Sequence, residues 1–265
     1  MLPVSPVLAA LAYVVAALAG LGAGAAINAL ADRTSGDEEP PWRGGECAAC
    51  RKPVSARRLV PVAGLFLLRG RCPTCGARLS PRRFLVDVTL LAAFPLLLAH
   101  AFSPTAATRI APGLLFAVDA ATLSVLALIF VIDLEHRLIF DVVVYPAAAA
   151  LIGVALFFDH KALASMGVGA VLSGGLFLLF YGLGFLLYHQ EALGFGDVKL
   201  AALIGLAVGW PGIVAALVLC ALFGAAVTLA LLGAGRVTAR TYIPFGIFLS
   251  LGGALALLVA VPLWG

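Results

Sequence analysis

Charge is what this sequence lacks. Only 11% of its 265 residues are Asp, Glu, Lys or Arg, against about 25% in an ordinary soluble domain. A soluble fold of this length needs a polar surface, and so few charges cannot supply one. Hydrophobic residues reach 63%, and the mean hydropathy is +1.12. That content excludes a disordered or fibrous chain as well as a soluble enzyme. Alternation is missing too: the apolar residues come in continuous runs, which argues against a membrane β-barrel. No Lys or Arg precedes the first run, so the basic start of a cleaved signal peptide is absent. These absences point to an all-α polytopic membrane protein whose first helix is retained with its N-terminus outside.

A spanning helix needs roughly 20 apolar residues. Five runs meet this at Val7–Leu30, Phe84–Phe102, Ala111–Ile132, Val142–Phe158 and Ala164–Tyr188. The run Leu200–Leu232 contains Trp210-Pro211 and is split there into two spans, and Ile243–Leu263 is the last. The expectation is eight spans. Basic residues then orient them. Eleven of the seventeen Lys and Arg fall between Arg33 and Arg83, and Arg137, Lys199, Arg236 and Arg240 share that side when the crossings are counted. By the positive-inside rule this face is cytoplasmic. The chain reads as a first helix (1–32), a polar insert (33–83) and a multi-span body (84–265). Gly20 with Gly24, and Gly205 with Gly209, have the spacing that lets helices approach closely in lipid.

The insert holds Cys47-Ala-Ala-Cys50 and Cys72-Pro-Thr-Cys75, two C-x-x-C pairs 21 residues apart. This is close to four-cysteine zinc spacing, with each pair offering two thiolates to one tetrahedral metal. Two disulfides or a redox dithiol would use the same residues, but a reducing cytoplasm disfavours structural disulfides. An insert of this size with few large apolar side chains builds little core, and bound zinc would supply folding free energy. Its arginines lack interleaved aromatics, and topology and anionic lipid account for them, so nucleic acid is not an expected partner. Cys220 lies in an apolar run and reads as packing.

Acidic residues number only 13, so each position is informative. Asp133 closes the third span, and Asp197 lies in Gly194-Phe-Gly196-Asp197-Val-Lys199 at the same membrane face. Carboxylates at the membrane are expensive and mark function. Two brought close together share one proton, so one activates water while the other protonates a carbonyl. Solvated loop positions are the plain alternative for both. Asp141 suits an N-cap of the fourth span and lies near the same face. Asp87 is expected at the start of the second span, and Lys199 as a cytoplasmic anchor. Asp119, about four turns before Asp133 on nearly the same face, is too distant to be its partner.

Taken in order, these segments resemble the prepilin peptidases, bacterial inner-membrane aspartic peptidases. Gly24-Ala-Ala-Ile-Asn28-Ala-Leu-Ala-Asp32-Arg33 is similar to the family's G-S-F-L-N-x-x-x-x-R. The cysteine insert follows. Asp133-Leu-Glu-His-Arg-Leu-Ile139-Phe140-Asp141 resembles D-x-x-x-x-x-I-P-D, Gly194–Lys199 matches G-x-G-D-x-K, and Ile243-Pro-Phe-Gly246 matches I-P-F-G. Phe140 stands for the family proline, Ala25 for its serine and Asp87 for its usual glutamate. The resemblance implies that Asp133 and Asp197 are the catalytic pair, supported by Gly194, Gly196, Lys199 and Asp141. It implies removal of a short basic leader, after a glycine, from type IV pilin-like or type II secretion pseudopilin precursors. It also implies N-methylation of the new N-terminus with S-adenosylmethionine as cofactor. A proton- or cation-coupled transporter and a non-catalytic zinc-bearing scaffold are the competing readings.

Overall fold

A computed structural model describes residues 5–34, 42–43, 46–47, 50, 52, 74–76, 81–103, 110–188, 193–236 and 244–259. The elements are α1 (Pro6–Thr34), a hairpin of β1 (Trp42–Arg43) and β2 (Glu46–Cys47), then α2 (Pro81–Ala101), α3 (Pro112–His136), α4 (Asp141–Phe158), α5 (Ala162–Tyr188), α6 (Phe195–Gly233) and α7 (Gly246–Val259). The chain divides into two compact units, Leu2–Ala99 and His100–Gly265.

In the first unit α1 packs on α2 through its small residues. A Cβ on Gly20 would run into the Leu90 carbonyl, and one on Gly24 would stand 2.5 Å from Asp87 Oδ1. Polar groups then close the end of the pair. The Asn28 amide donates to Asp87 Oδ1 at 3.1 Å and to the Arg83 carbonyl at 3.2 Å. Asp32 takes Arg82 at 2.5 Å and also pairs with Arg83. Asp87 was expected at the helix start. Proline at the first position starts α2 earlier, at Pro81, so Asp87 sits in the second turn and is fully buried against Asn28.

The second unit is built around α6, which packs on α4, α5 and α7, while α3 packs on α7. Proline again opens α3, at Pro112. Gly169 of α5 and Gly205 of α6 meet backbone to backbone, with each blocking a Cβ on the other. Ser173 fixes the register by donating across to the Ala201 carbonyl at 2.7 Å. Helices in lipid gain no hydrophobic drive from meeting, so this close approach supplies the dispersion contact that holds them.

α6 is not one straight rod. Gly209 has φ 56° and ψ −167°, a conformation that requires glycine, and Trp210 is extended. Ser165 of α5 satisfies the backbone groups freed at the break: it accepts from the Trp210 N–H and donates to the Trp210 carbonyl, both at 2.9 Å. The two legs fold back. Neighbouring residues Gly252 and Gly253 of α7 lie against Cys220 and Ile204, each at 3.0 Å from a Cβ placed there. In a straight helix Ile204 and Cys220 would be roughly 24 Å apart. The split expected at Trp210-Pro211 thus corresponds to a helical hairpin, 195–208 and 211–233, and Cys220 is buried packing.

Among the described residues six helices are long and apolar enough to cross a membrane, and Gly246–Val259 is a shorter apolar helix. The expected count of eight differs for two reasons. The hairpin of α6 runs as one element through its break, and α7 has 14 described residues, fewer than a span needs. The protein is a multi-pass membrane chain whose described residues are helical apart from the two-residue strands of the insert, which the helical expectation did not include.

The α5–α6 contact predicts an asymmetric response to added methyl groups. Gly205→Ala should lower the melting temperature in detergent by an amount corresponding to about 1–3 kcal/mol. Gly175→Ala, where nothing lies within 4 Å of the new Cβ, should not lower it, because alanine favours the helix over glycine.

Candidate active site

Asp133 lies in the last turn of α3 rather than in the loop after it. The helix runs on to His136 and stops at Arg137, whose left-handed conformation (φ 56°) returns its N–H to the Asp133 carbonyl at 3.0 Å. Residues 138–140 form no regular element, and α4 starts at Asp141 after the extended N-cap Phe140.

Asp197 likewise belongs to a helix, the first turn of α6. Gly194 is the N-cap. Its N–H donates to the Asp197 carboxylate, while the Asp197 N–H donates to the Gly194 carbonyl at 3.0 Å. This is the acidic half of a capping box, an acid at the third position reaching back to the cap. The spacing of Gly194 and Asp197 is therefore a folding instruction for the start of α6.

The two aspartates come together. Asp133 is within electrostatic reach of Asp197, and they are only 4% and 5% exposed. That burial removes the solvated-loop alternative for both. The backbone N–H of Ile247, in the first turn of α7, donates to the Asp133 carboxylate. Asp133 Oδ2 is buried with no hydrogen-bond partner. A Cβ on Gly246 would stand 2.7 Å from that oxygen. Ile139 wedges the arrangement: its side chain lies 3.0 Å from a Cβ placed on Gly196 and 3.2 Å from one placed on Gly246. The segment after Asp133 thus inserts one apolar side chain between the starts of α6 and α7. Both starts need glycine there to leave room.

Asp141 differs from the expected N-cap, and Lys199 is paired with it. Asp141 is the first residue of α4, not its N-cap, and its carboxylate takes the Lys199 ammonium at 2.6 Å. Lys199 is therefore tied to Asp141. Its Nζ also lies 5.1 Å from the Phe195 ring centre and 5.6 Å from that of Tyr145. The bridge joins the end of the Asp133–Asp141 segment to the helix carrying Asp197. Ile139 and Gly246 entered the sequence reading only as motif positions, and Ile247 was not singled out. The signal available was the I-P-F-G segment, read there only as a likeness. Asp119 is buried within α3.

The cysteine insert is described in part. Cys47 lies in β2, Cys50 is half-buried and Cys75 exposed, whereas Cys72 lies outside the described residues. Among the described residues no group of three or more His, Cys, Asp or Glu side chains forms a metal site. Gly76, just after the Thr74–Cys75 turn, has φ 72°. A left-handed residue after a turn aims successive N–H groups at an anion, an arrangement that suits a thiolate cluster.

Buried Asp133 and Asp197 at the helix ends of an apolar, multi-pass bundle mark a candidate two-aspartate site. The chain belongs to the type IV leader peptidase family and is an enzyme of the peptidase class. Residues 120–234 match the Type IV leader peptidase family, and residues 18–102 match the Bacterial Peptidase A24 N-terminal domain. The chain is similar to the prepilin leader peptidase/N-methyltransferase of Burkholderia pseudomallei (strain K96243), 34% identical over 221 residues, which is 82% of this chain and 68% of that protein. It is similar to that of Aeromonas hydrophila, 32% identical over 243 residues, 87% of this chain and 76% of that protein. The Pseudomonas putida protein of the same name is 31% identical over 220 residues, 83% and 72% of the two chains. No solved structure matches.

The Lys199–Asp141 tie makes a test of loop order. Asp141→Lys should raise amide hydrogen exchange several-fold across residues 137–141. Exchanging the charges, Asp141→Lys with Lys199→Asp, should bring the rate back toward the wild type.

Proposed function

We propose that this protein is an aspartic endopeptidase that removes the leader of pilin-like or pseudopilin precursors, with Asp133 and Asp197 as the catalytic pair. The observation that carries this reading is their joint burial within electrostatic reach of each other. Two such carboxylates hold one proton between them. The ionised one takes a proton from water as the oxygen attacks the scissile carbonyl, and the protonated one gives its proton to the carbonyl oxygen. The tetrahedral intermediate then collapses. A carboxyl proton passes to the leaving nitrogen, the C–N bond breaks, and an acid and an amine leave. Gly194 places no side chain beside Asp197, Gly196 makes room for Ile139, and the Lys199–Asp141 bridge supports the loop.

The remaining expectations rest on the family and the residue pattern. The inner membrane, an external N-terminus and a cytoplasmic site follow from the basic residues of 33–83. Eight crossings are supported by the fold-back of α6, if each leg and α7 cross. The division into a first helix (1–32), an insert (33–83) and a peptidase body (84–265) keeps the cysteines in one module. Zinc on Cys47, Cys50, Cys72 and Cys75 is supported by the spacing and by the Gly76 turn. When bound, it would tie the insert together as a closed structural site. S-adenosylmethionine-dependent methylation of the new N-terminus is carried by the double name of the relatives, and no residue is assigned to it.

Purified protein in detergent should shorten a pilin precursor by the mass of its leader. Asp133→Asn and Asp197→Asn should each abolish that loss while keeping the wild-type melting temperature. Wild-type product incubated with S-adenosylmethionine should gain about one methyl mass. An intact precursor with folded wild type, or normal cutting by both variants, rejects the assignment. Elemental analysis should find zinc in the wild type and lose it when all four insert cysteines become serine.

A further inference from the structure

The catalytic pair was assigned to α3 and α6, yet a third element reaches it. The first four N–H groups of any helix lack an intrahelical acceptor. In α7 two groups that follow the start are satisfied within the helix: the Phe248 and Leu249 N–H groups both reach the Phe245 carbonyl at 3.1 Å. The Ile247 N–H instead donates to the Asp133 carboxylate of a different helix. The partial positive charge of a helix start adds to this attraction. The contact leaves a specific asymmetry. Asp133 Oδ2, in a side chain 96% buried, has no partner among the described residues, and Gly246 keeps the space beside it open. The carboxylate faces the Ile247 amide, and its Oδ2 is left without a partner in a cramped place.

We propose that the first turn of α7, Gly246 and Ile247, is the positioning element of Asp133. The Ile247 amide holds the carboxylate in one orientation, and Gly246 leaves Oδ2 room to meet water and the scissile carbonyl. Neither residue touches the reacting atoms; both act through Asp133. The I-P-F-G segment is thereby part of the machinery of the reaction. This rests on the peptidase reading above and adds a third helix to it.

Proline supplies a clean deletion, because the first turn of a helix tolerates it and no intrahelical bond is lost there. Ile247→Pro removes the amide donor. Ile247→Ala keeps the donor and shortens a half-buried side chain. Gly246→Ala puts a methyl against Oδ2. All three are measured in the full chain in detergent for precursor cleavage, with Asp133→Asn alongside and melting temperatures recorded. For Ile247→Pro and Gly246→Ala, kcat should fall roughly 10- to 100-fold while KM stays within about twofold, as expected when a catalytic group is misplaced and substrate binding is untouched. Ile247→Ala, which keeps the amide, should lose clearly less kcat than Ile247→Pro. Ile247→Pro or Gly246→Ala with wild-type kcat overturns the positioning role. So does an equal loss in Ile247→Ala, which would make the side chain, not the amide, responsible. If Ile247→Pro does not fold, Gly246→Ala and Ile247→Ala decide the matter between them. A folded wild type that cuts no precursor overturns the peptidase reading itself, and the inference with it. Wild-type cutting lost in Asp133→Asn but kept in Ile247→Pro overturns the inference alone.

Discussion

Two carboxylates must be buried in a chain that has almost no charge to offer them. That constraint organises the second unit. An unpaired anion in an apolar interior is strongly unfavourable, and among the described residues no Lys or Arg is placed against Asp197. Backbone N–H groups at helix starts serve instead. Asp197 faces the Gly194 amide of its own helix, and Asp133 faces the Ile247 amide of another, with Arg137 also within its electrostatic reach. Because a helix start can face an acid only at short range, the starts of α6 and α7 must converge on the end of α3. The side chains that permit this convergence are glycines and one isoleucine.

Close approach at the site depends on close approach elsewhere. The hairpin of α6 brings Ile204 and Cys220 onto neighbouring residues of α7, and the Gly169–Gly205 contact clamps its first leg to α5. Ser165 satisfies the backbone at the bend. The bend at Gly209 thus sets how the first leg presents Asp197 and how the second leg seats α7. A residue remote from the chemistry acquires a structural part in it.

The family's motifs can be read as mechanical parts. Gly194 and Asp197 form a helix start. Ile139 is a wedge between two glycines. Asp141 and Lys199 fasten the loop at its far end. In the first unit, Asn28 and Asp87 close one helix pair, with Asp32 and the two arginines beside them. The two family matches, residues 18–102 and 120–234, each fall mainly within one of the two compact units. The division in the folded chain therefore runs close to the division of the family.

Composition and order along the chain were enough to read a polytopic helical membrane protein, the cysteine insert and Asp133 with Asp197 as the pair to watch. Those readings depend on local quantities: the length of an apolar run, the rarity of an acid, the spacing of a motif. Even the break at Trp210-Pro211 was visible, because proline and glycine act locally on the backbone. Tertiary structure decided the rest. It extended α3 through Asp133, gave Lys199 to Asp141, buried Asp87 in the second turn of α2, and brought α7 to Asp133. Each of these is a contact between residues far apart in sequence, and no local rule specifies which amide finds which carboxylate. The number of crossings had the same character: an apolar run reports that a helix forms, whereas a bend within it and the length of the next helix depend on what packs beside them.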